Sequence, residues 1–290
     1  MTATAPQQAI RLTGESSSFL VAEPFREALA ELGLRSLDAV FAFDSARDLA
    51  KPSLSRFRRR LQFEVVPTGA ARPVKVFLKR YDRPPALEQL RNWLPHRRRS
   101  SFAFVERETA DRLRNAGINT PRVAACGERW GILFEHRSFL MTAEIEDSES
   151  LERKLPPCFD GPATPARRDF IRRLAAFVRR FHETGYRHRD LYLSHIFCSG
   201  TGEFTLIDLA RASRPVFPRR RQVKDVAQLH YSAPAAAFSR TDRMRFYRAY
   251  TGRPRLLPRD KVFIRQVMRK ADRMARHNLK HGVPVPFLER

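Results

Sequence analysis

The sequence predicts an α+β chain of two unlike parts: a small strand-rich lobe with one main helix, then a larger, mainly helical lobe. Three observations carry that prediction. Apolar residues alternate through "RFRRRLQFEVV" and "RPVKVFLKRY" and return in strand-like runs up to about Glu144. One helix-period stretch, beginning at Phe102, interrupts them. From Thr164 onward apolar residues recur at spacings of three and four. The boundaries read as a flexible terminus at 1–20, a strand-rich lobe at 21–143 and a helical lobe at 144–290, the two lobes forming one domain.

The elements follow in chain order. Residues up to about Phe19 are small, polar and aperiodic, and read as flexible. "DAVFAF" (Asp38 to Phe43) reads as a first strand. The next two strands flank "PTGA", whose proline and glycine suit a turn. In the second of them Val74, Val76 and Leu78 share one face, while Lys75, Phe77, Lys79 and Tyr81 share the other. Phe102, Val105, Thr109, Ala110 and Leu113 then mark a helix that Gly117 stops. "WGILFEH" and "SFLMTAEI" read as two further strands. Thr164 and Pro165 supply the cap and first-turn proline of a long helix. Its stripe is Phe170, Ile171, Leu174, Phe177, Val178 and Phe181, and Gly185 ends it. A loop, "YRHRDLYLSH", leaves that glycine and enters "HIFCSG" and "FTLID", two short segments suited to a hairpin. From about Val223 the chain reads as helices with charged outer faces.

Composition narrows the function classes. The 22 phenylalanines and the apolar fraction of 42% exclude a disordered chain. The opening "MTATAPQQAI" does not read as a secretory signal, and no apolar run is long enough to span a membrane. Cys126, Cys158 and Cys198 are odd in number and widely spaced, which suits a reducing cytosol rather than a disulfide framework. The formal charge of +24 thickens at Arg56–Arg60, His96–Arg99 and Arg214–Lys224. Such a field attracts polyanions: nucleic acid, an anionic lipid surface or a phosphorylated substrate. No zinc-finger spacing or RNA-recognition motif accompanies it, so no specific nucleic acid is expected.

Chemistry concentrates at the expected hairpin. Asp190 precedes its first strand and Asp208 follows its second, so both carboxylates fall at one end. Two carboxylates there suit a divalent metal and a proton acceptor. Lys79 comes from a strand and Glu106 from the one helix of the first lobe, and a helix packed on that sheet brings glutamate to lysine. Glu108 is the rival partner. The order is lysine strand, glutamate helix, aspartate loop, hairpin, second aspartate. It is the part list of phosphoryl transfer on a protein-kinase-like scaffold. "VFLK", "HRDLYLSH" and "IDLA" stand where protein kinases carry V-A-I-K, H-R-D-L-x-x-x-N and D-F-G.

With "VFLKRY", "FVERETADRLRNAGINTP", "GYRHRDLYLSHIF", "LIDLARASR" and "PRRRQVKDVAQLHYS", the chain resembles the bacterial lipopolysaccharide core kinases of the Kdo/WaaP type, and most of all the inner-core heptose kinases. The resemblance covers about Phe57 to Tyr250. It implies a two-lobed protein-kinase-like fold, ATP with Mg²⁺ or Mn²⁺, and transfer of the γ-phosphoryl group to a sugar hydroxyl. Asp190 is then the catalytic base and Asp208 the metal ligand. Lys79, fixed by Glu106, grips the α- and β-phosphates. Backbone groups at Ala143, Glu144 and Ile145 face the adenine, by analogy with kinase hinges. His188 and Arg189 orient the loop, and Asp225 accepts hydrogen bonds from its backbone.

The resemblance also implies histidine at His195, where protein kinases have asparagine. Imidazole is a poor partner for Mg²⁺, so His195 binds the metal weakly, binds it through water, or donates to phosphate. Tyr192 stands where serine/threonine kinases place a lysine, and Arg211 is the candidate substitute cation. There is no G-x-G-x-x-G between the first strands, and no A-P-E. The expected partners are the core glycolipid and, by electrostatics, the anionic cytoplasmic face of the inner membrane, with the protein cytoplasmic or peripheral there. Other acceptors (Kdo, another glycan, a protein side chain), a nucleotide-binding pseudokinase and a basic nucleic-acid-binding protein are the rival readings.

Overall fold

The computed structural model describes residues 11–12, 15–49, 55–159, 161, 164–235, 237–282 and 285. Contacts divide the chain into two units. The first is 1–108 with 121–144, and the second is 109–120 with 145–290.

The first unit is built on a sheet whose described strands run β1 (Arg11–Leu12), β2 (Glu15–Val21), β6 (Val123–Trp130), β7 (Glu135–Ala143), β5 (Val74–Asp82), β4 (Arg58–Val65) and β3 (Arg47–Asp48), all neighbours antiparallel. β5 is an interior strand beside the middle strand β7, and pairs Lys79 with Arg60 on one side and Leu140 on the other. The Pro67–Ala70 turn closes the β4–β5 hairpin through a 2.9 Å bond from Ala70 N to the Pro67 carbonyl. On one face Leu61, Val76, Leu78, Phe139 and Met141 form a core with Leu29 and Val40 from the short helices α1 (Arg26–Glu31) and α2 (Leu37–Ala42). The other face carries Tyr81, Leu140 and Cys126, packed on Phe102 and Ala103 of helix α4 (Phe102–Asn115). Helix α3 (Ala86–His96) lies between β5 and α4 in sequence.

The second unit holds α5 (Leu151–Cys158), α6 (Pro165–Glu183), α7 (Pro218–Ser232), α8 (Arg240–Thr251), α9 (Pro258–Lys280) and a small sheet of β8 (Ser148–Ser150), β9 (Ile196–Ser199) and β10 (Phe204–Leu206). Thr164 caps α6 by accepting from Arg167 N at 3.1 Å. Ile171, Leu174, Phe177, Val178 and Phe181 are buried with Leu206, Val226 and Val267. Gly185 follows at φ 86°, a left-handed turn that glycine takes without strain and that releases the chain into the "RHRD" loop.

Several expectations are corrected. Asp38–Phe43 is not a strand: Ser36 caps α2 by accepting from Ala39 N, and Leu37 and Val40 bury one helical face. "WGILFEH" is mostly the β6–β7 connection, with Ile132 and Leu133 exposed, and "EHRSFLMTA" forms one continuous strand. Residues 15–19 belong to β2, because backbone pairing with β6 needs no apolar period; residues 1–10, 13 and 14 lie outside the described residues. α7 begins at Pro218 rather than near Val223. Residues 109–120, placed by sequence in the first lobe, belong to the second unit. Leu113 and Ile118 lie in its core, and the Asn119 carbonyl accepts from Leu206 N at 2.9 Å. The division near the expected 143/144 boundary falls after Glu144.

Candidate active site

In the first unit the geometry follows from two periodicities. Lys79 and Tyr81 lie two apart on one strand face, and Phe102 and Glu106 lie four apart on one helix face. Tyr81 stacks on Phe102 with ring centroids 5.2 Å apart, and the next rung brings Lys79 Nζ to Glu106 Oε1 at 2.6 Å. The two side chains are 16% and 7% exposed. Glu108 turns instead to Arg98 at 2.7 Å. The remaining glutamate oxygen, Glu106 Oε2, is buried without a hydrogen-bond partner among the described residues. A shielded ammonium fixed by one carboxylate oxygen fits a phosphate-gripping role.

Two of the backbone donors expected at the adenine are engaged within the first unit. Ala143 N already donates to the Arg122 carbonyl at 2.9 Å and Glu144 N to the Lys75 carbonyl at 2.8 Å. Sheet and loop bonding therefore occupy both of these N–H donors. The Glu144 carboxylate is bound back to Lys75, accepting from its backbone N at 2.9 Å.

In the second unit the loop from Tyr186 to His195 is held by α7. Buried Asp225 accepts from His188 N and Arg189 N, each at 2.7 Å, and meets His182 Nε2 at 3.3 Å. Its neighbour Lys224 donates from Nζ to the Arg189 carbonyl. Both peptide groups of Arg189 are thus committed to α7, which holds that residue at φ 72°. A non-glycine residue there is costly and persists only where its surroundings fix it. His188 Nε2 donates to the Ile207 carbonyl at 2.9 Å, and burial lowers its ring below the ordinary histidine range.

Asp190 follows the strained residue. Arg211 Nη1 donates to its carboxylate at 2.8 and 3.2 Å, Gln228 Nε2 lies 3.4 Å from Oδ1, and Lys224 Nζ lies 3.6 Å from Oδ1. Burial lowers Lys224 from the ordinary lysine value, with Asp190 opposing the shift. Tyr192 is the residue two beyond Asp190, and burial raises its phenol. Lys224 and Gln228 escaped the sequence reading. Their signal was the spacing of Lys224, Asp225 and Gln228, which puts all three on the side of α7 that meets the loop.

Asp208 sits at φ 58° just after β10. Its Oδ2 is 3.9 Å from His195 Nε2, while His195 Nδ1 donates to the Asp190 carbonyl at 2.7 Å. With Nδ1 engaged at that carbonyl, the ring presents Nε2 on the side of the Asp208 carboxylate. Two such donors side by side fit a divalent cation. No cluster of three or more His, Cys, Asp or Glu occurs among the described residues.

Groups of these kinds are the ones that phosphoryl transfer uses, and the fold defines a kinase-like phosphotransferase. Comparison with known proteins makes the class specific. Residues 55–250 match the lipopolysaccharide kinase (Kdo/WaaP) family, and the chain belongs to that family. It is similar to the lipopolysaccharide core heptose(I) kinase WaaP of Pseudomonas aeruginosa, 32% identical over 62% of this chain and 71% of the relative. It is also similar to the Escherichia coli K12 protein of the same name, 29% identical over 78% and 87%. A solved structure described as WaaP in complex with acyl carrier protein superposes with a TM-score of 0.67 at 26% identity. That match covers 89% of this chain and 99% of the other.

Proposed function

We propose that this chain transfers the γ-phosphoryl group of ATP to a heptose hydroxyl of the lipopolysaccharide inner core. The observation that carries the reading is the Asp190 carboxylate, set between Arg211, Lys224 and Gln228 on a loop fixed by Asp225, in a chain of the Kdo/WaaP family. Asp190 orients the sugar hydroxyl and takes its proton. Lys79, held by Glu106, binds the α- and β-phosphates, and the Ile145 backbone serves the adenine. Asp208, with His195 beside it, holds the divalent ion, Mg²⁺ or Mn²⁺. When bound, that ion neutralises charge on the terminal phosphates. The protein's own share of catalysis is positioning and charge complementarity.

The basic surface supports an anionic acceptor. Part of it is internally paired: Arg59 binds Asp44 and Asp48, Arg98 binds Glu108, and Arg99 lies over Trp130. Arg219, Arg220 and Arg221 remain exposed at the start of α7. These suit the acidic head group of the core glycolipid or the cytoplasmic face of the inner membrane. Among the described residues no helix is long and apolar enough to cross a membrane. Acyl carrier protein, named with the solved relative, is a proposed partner here on the strength of that superposition.

The test is labelled transfer from ATP to lipopolysaccharide lacking its core phosphate, with the phosphorylated hydroxyl located by mass spectrometry and phosphorus NMR. Label on heptose supports the reading. Label on Kdo moves the acceptor, and ATP binding without transfer to any glycan favours the pseudokinase.

A further inference from the structure

We infer that Lys224, delivered from α7, is the cation that serves the transfer step at Asp190, in place of the loop lysine whose position Tyr192 occupies. The inference rests on the kinase reading above and deepens it. Tyr192 brings no charge, and burial raises its phenol. Two cations nevertheless reach Asp190, and they differ in how they are held.

Arg211 is 54% exposed on its side chain and places one nitrogen against both carboxylate oxygens. An acceptor hydroxyl needs a lone pair on one of those oxygens, so Arg211 competes with the substrate. Its exposure lets it swing away at little cost. Lys224 is 25% exposed, and its ammonium is fixed by the Arg189 carbonyl. The next residue, Asp225, holds the two N–H groups that precede Asp190. The distance from Lys224 to Asp190 is therefore set by the same helix that sets the loop. At 3.6 Å it is an ion contact longer than a hydrogen bond, so it leaves the base free to accept. An ammonium has three donors, and the Arg189 carbonyl takes one. The others serve the oxygens of the phosphoryl group toward which Asp190 orients the hydroxyl.

The step balances. The acceptor oxygen forms a bond to the γ-phosphorus as its proton passes to Asp190. The bond from that phosphorus to the β,γ-bridging oxygen breaks, and ADP leaves with the electron pair. Negative charge spreads over the phosphoryl oxygens during transfer, and Lys224 opposes it from a fixed position.

The experiment compares Lys224→Met, Lys224→Arg and Arg211→Met with wild type, measuring kcat, KM for ATP and the thermal midpoint. Methionine keeps the apolar stem and removes the charge. We expect Lys224→Met to lower kcat on the order of 100-fold, with KM for ATP within about twofold and the midpoint within a few degrees. Lys224→Arg should recover part of the loss, and Arg211→Met should cost less than about tenfold. An unaffected Lys224→Met would overturn the inference. So would a larger loss in Arg211→Met, or a kcat loss matched by loss of folded protein without rescue by arginine. If wild type itself transfers no phosphate to any glycan, the kinase reading fails and the inference with it. An active wild type beside an active Lys224→Met removes the inference alone.

Discussion

Lys79 Nζ and Glu106 Oε1 stand 2.6 Å apart, one rung along from the stacked rings of Tyr81 and Phe102. The aromatic pair sets the register of α4 on β5, and that register delivers the glutamate. Glu106→Ala leaves a shielded ammonium without this carboxylate. We expect a rise in KM for ATP on the order of tenfold and a stability loss of about 2 kcal/mol. Steady-state kinetics and urea unfolding check the two parts. An unchanged KM would detach the pair from nucleotide binding.

His195 turns an imidazole nitrogen toward Asp208 where protein kinases offer an amide oxygen. Nitrogen ligands suit Mn²⁺ better than Mg²⁺. The ratio of activity with Mn²⁺ to activity with Mg²⁺ should therefore fall in His195→Asn. Parallel metal titrations read the ratio directly, and an unaltered ratio places His195 outside the metal shell.

Asp225 is fully buried and satisfies two backbone N–H groups of the loop. Asp225→Ala orphans both, at a cost of about 3 kcal/mol or more. Asp225→Asn keeps one acceptor oxygen and loses less. Chemical denaturation of the two variants gives the order, and equal losses would contradict it.

Glu135 links stability to pH. Burial pushes its carboxyl up to about 7, against hydrogen bonds from Ser138 and from Phe102 N at the start of α4. The native state thus keeps a proton that the unfolded chain releases nearer the ordinary glutamate value of 4.5. This contribution is present below that lower value and is lost as pH rises through about 7, by at most about 3 kcal/mol. Glu135→Gln imitates the protonated form. Its stability relative to wild type should rise from pH 5 to pH 8 in urea unfolding, and a flat difference would contradict the assignment.

Much of this was legible in the sequence because it is local. The α6 stripe, its Thr164 cap and its Gly185 stop are periodic signals, and the "HRDLYLSH" loop hangs from them. Alternation on β5 placed Lys79 opposite the core face. The losses came where tertiary context decides. "DAVFAF" carries strand-forming residues, yet one serine cap and two buried positions make it helical. β2 is held by backbone pairing, which its serines do not announce. Donors at Ala143 and Glu144 looked open in one dimension, but neighbouring chain segments take them. Lys224 was hidden in a basic run read as a whole as a field for polyanions, since only the fold shows which of those charges faces Asp190.

The central claim is tested most directly by phosphate transfer from labelled ATP to lipopolysaccharide lacking its core phosphate, with wild type beside Asp190→Asn. The account predicts label on the heptose with wild type and a loss of at least about 100-fold in the variant, with ATP binding retained. Equal transfer by the two proteins would contradict Asp190 as the base. Transfer by neither, with ATP bound, would contradict the kinase itself.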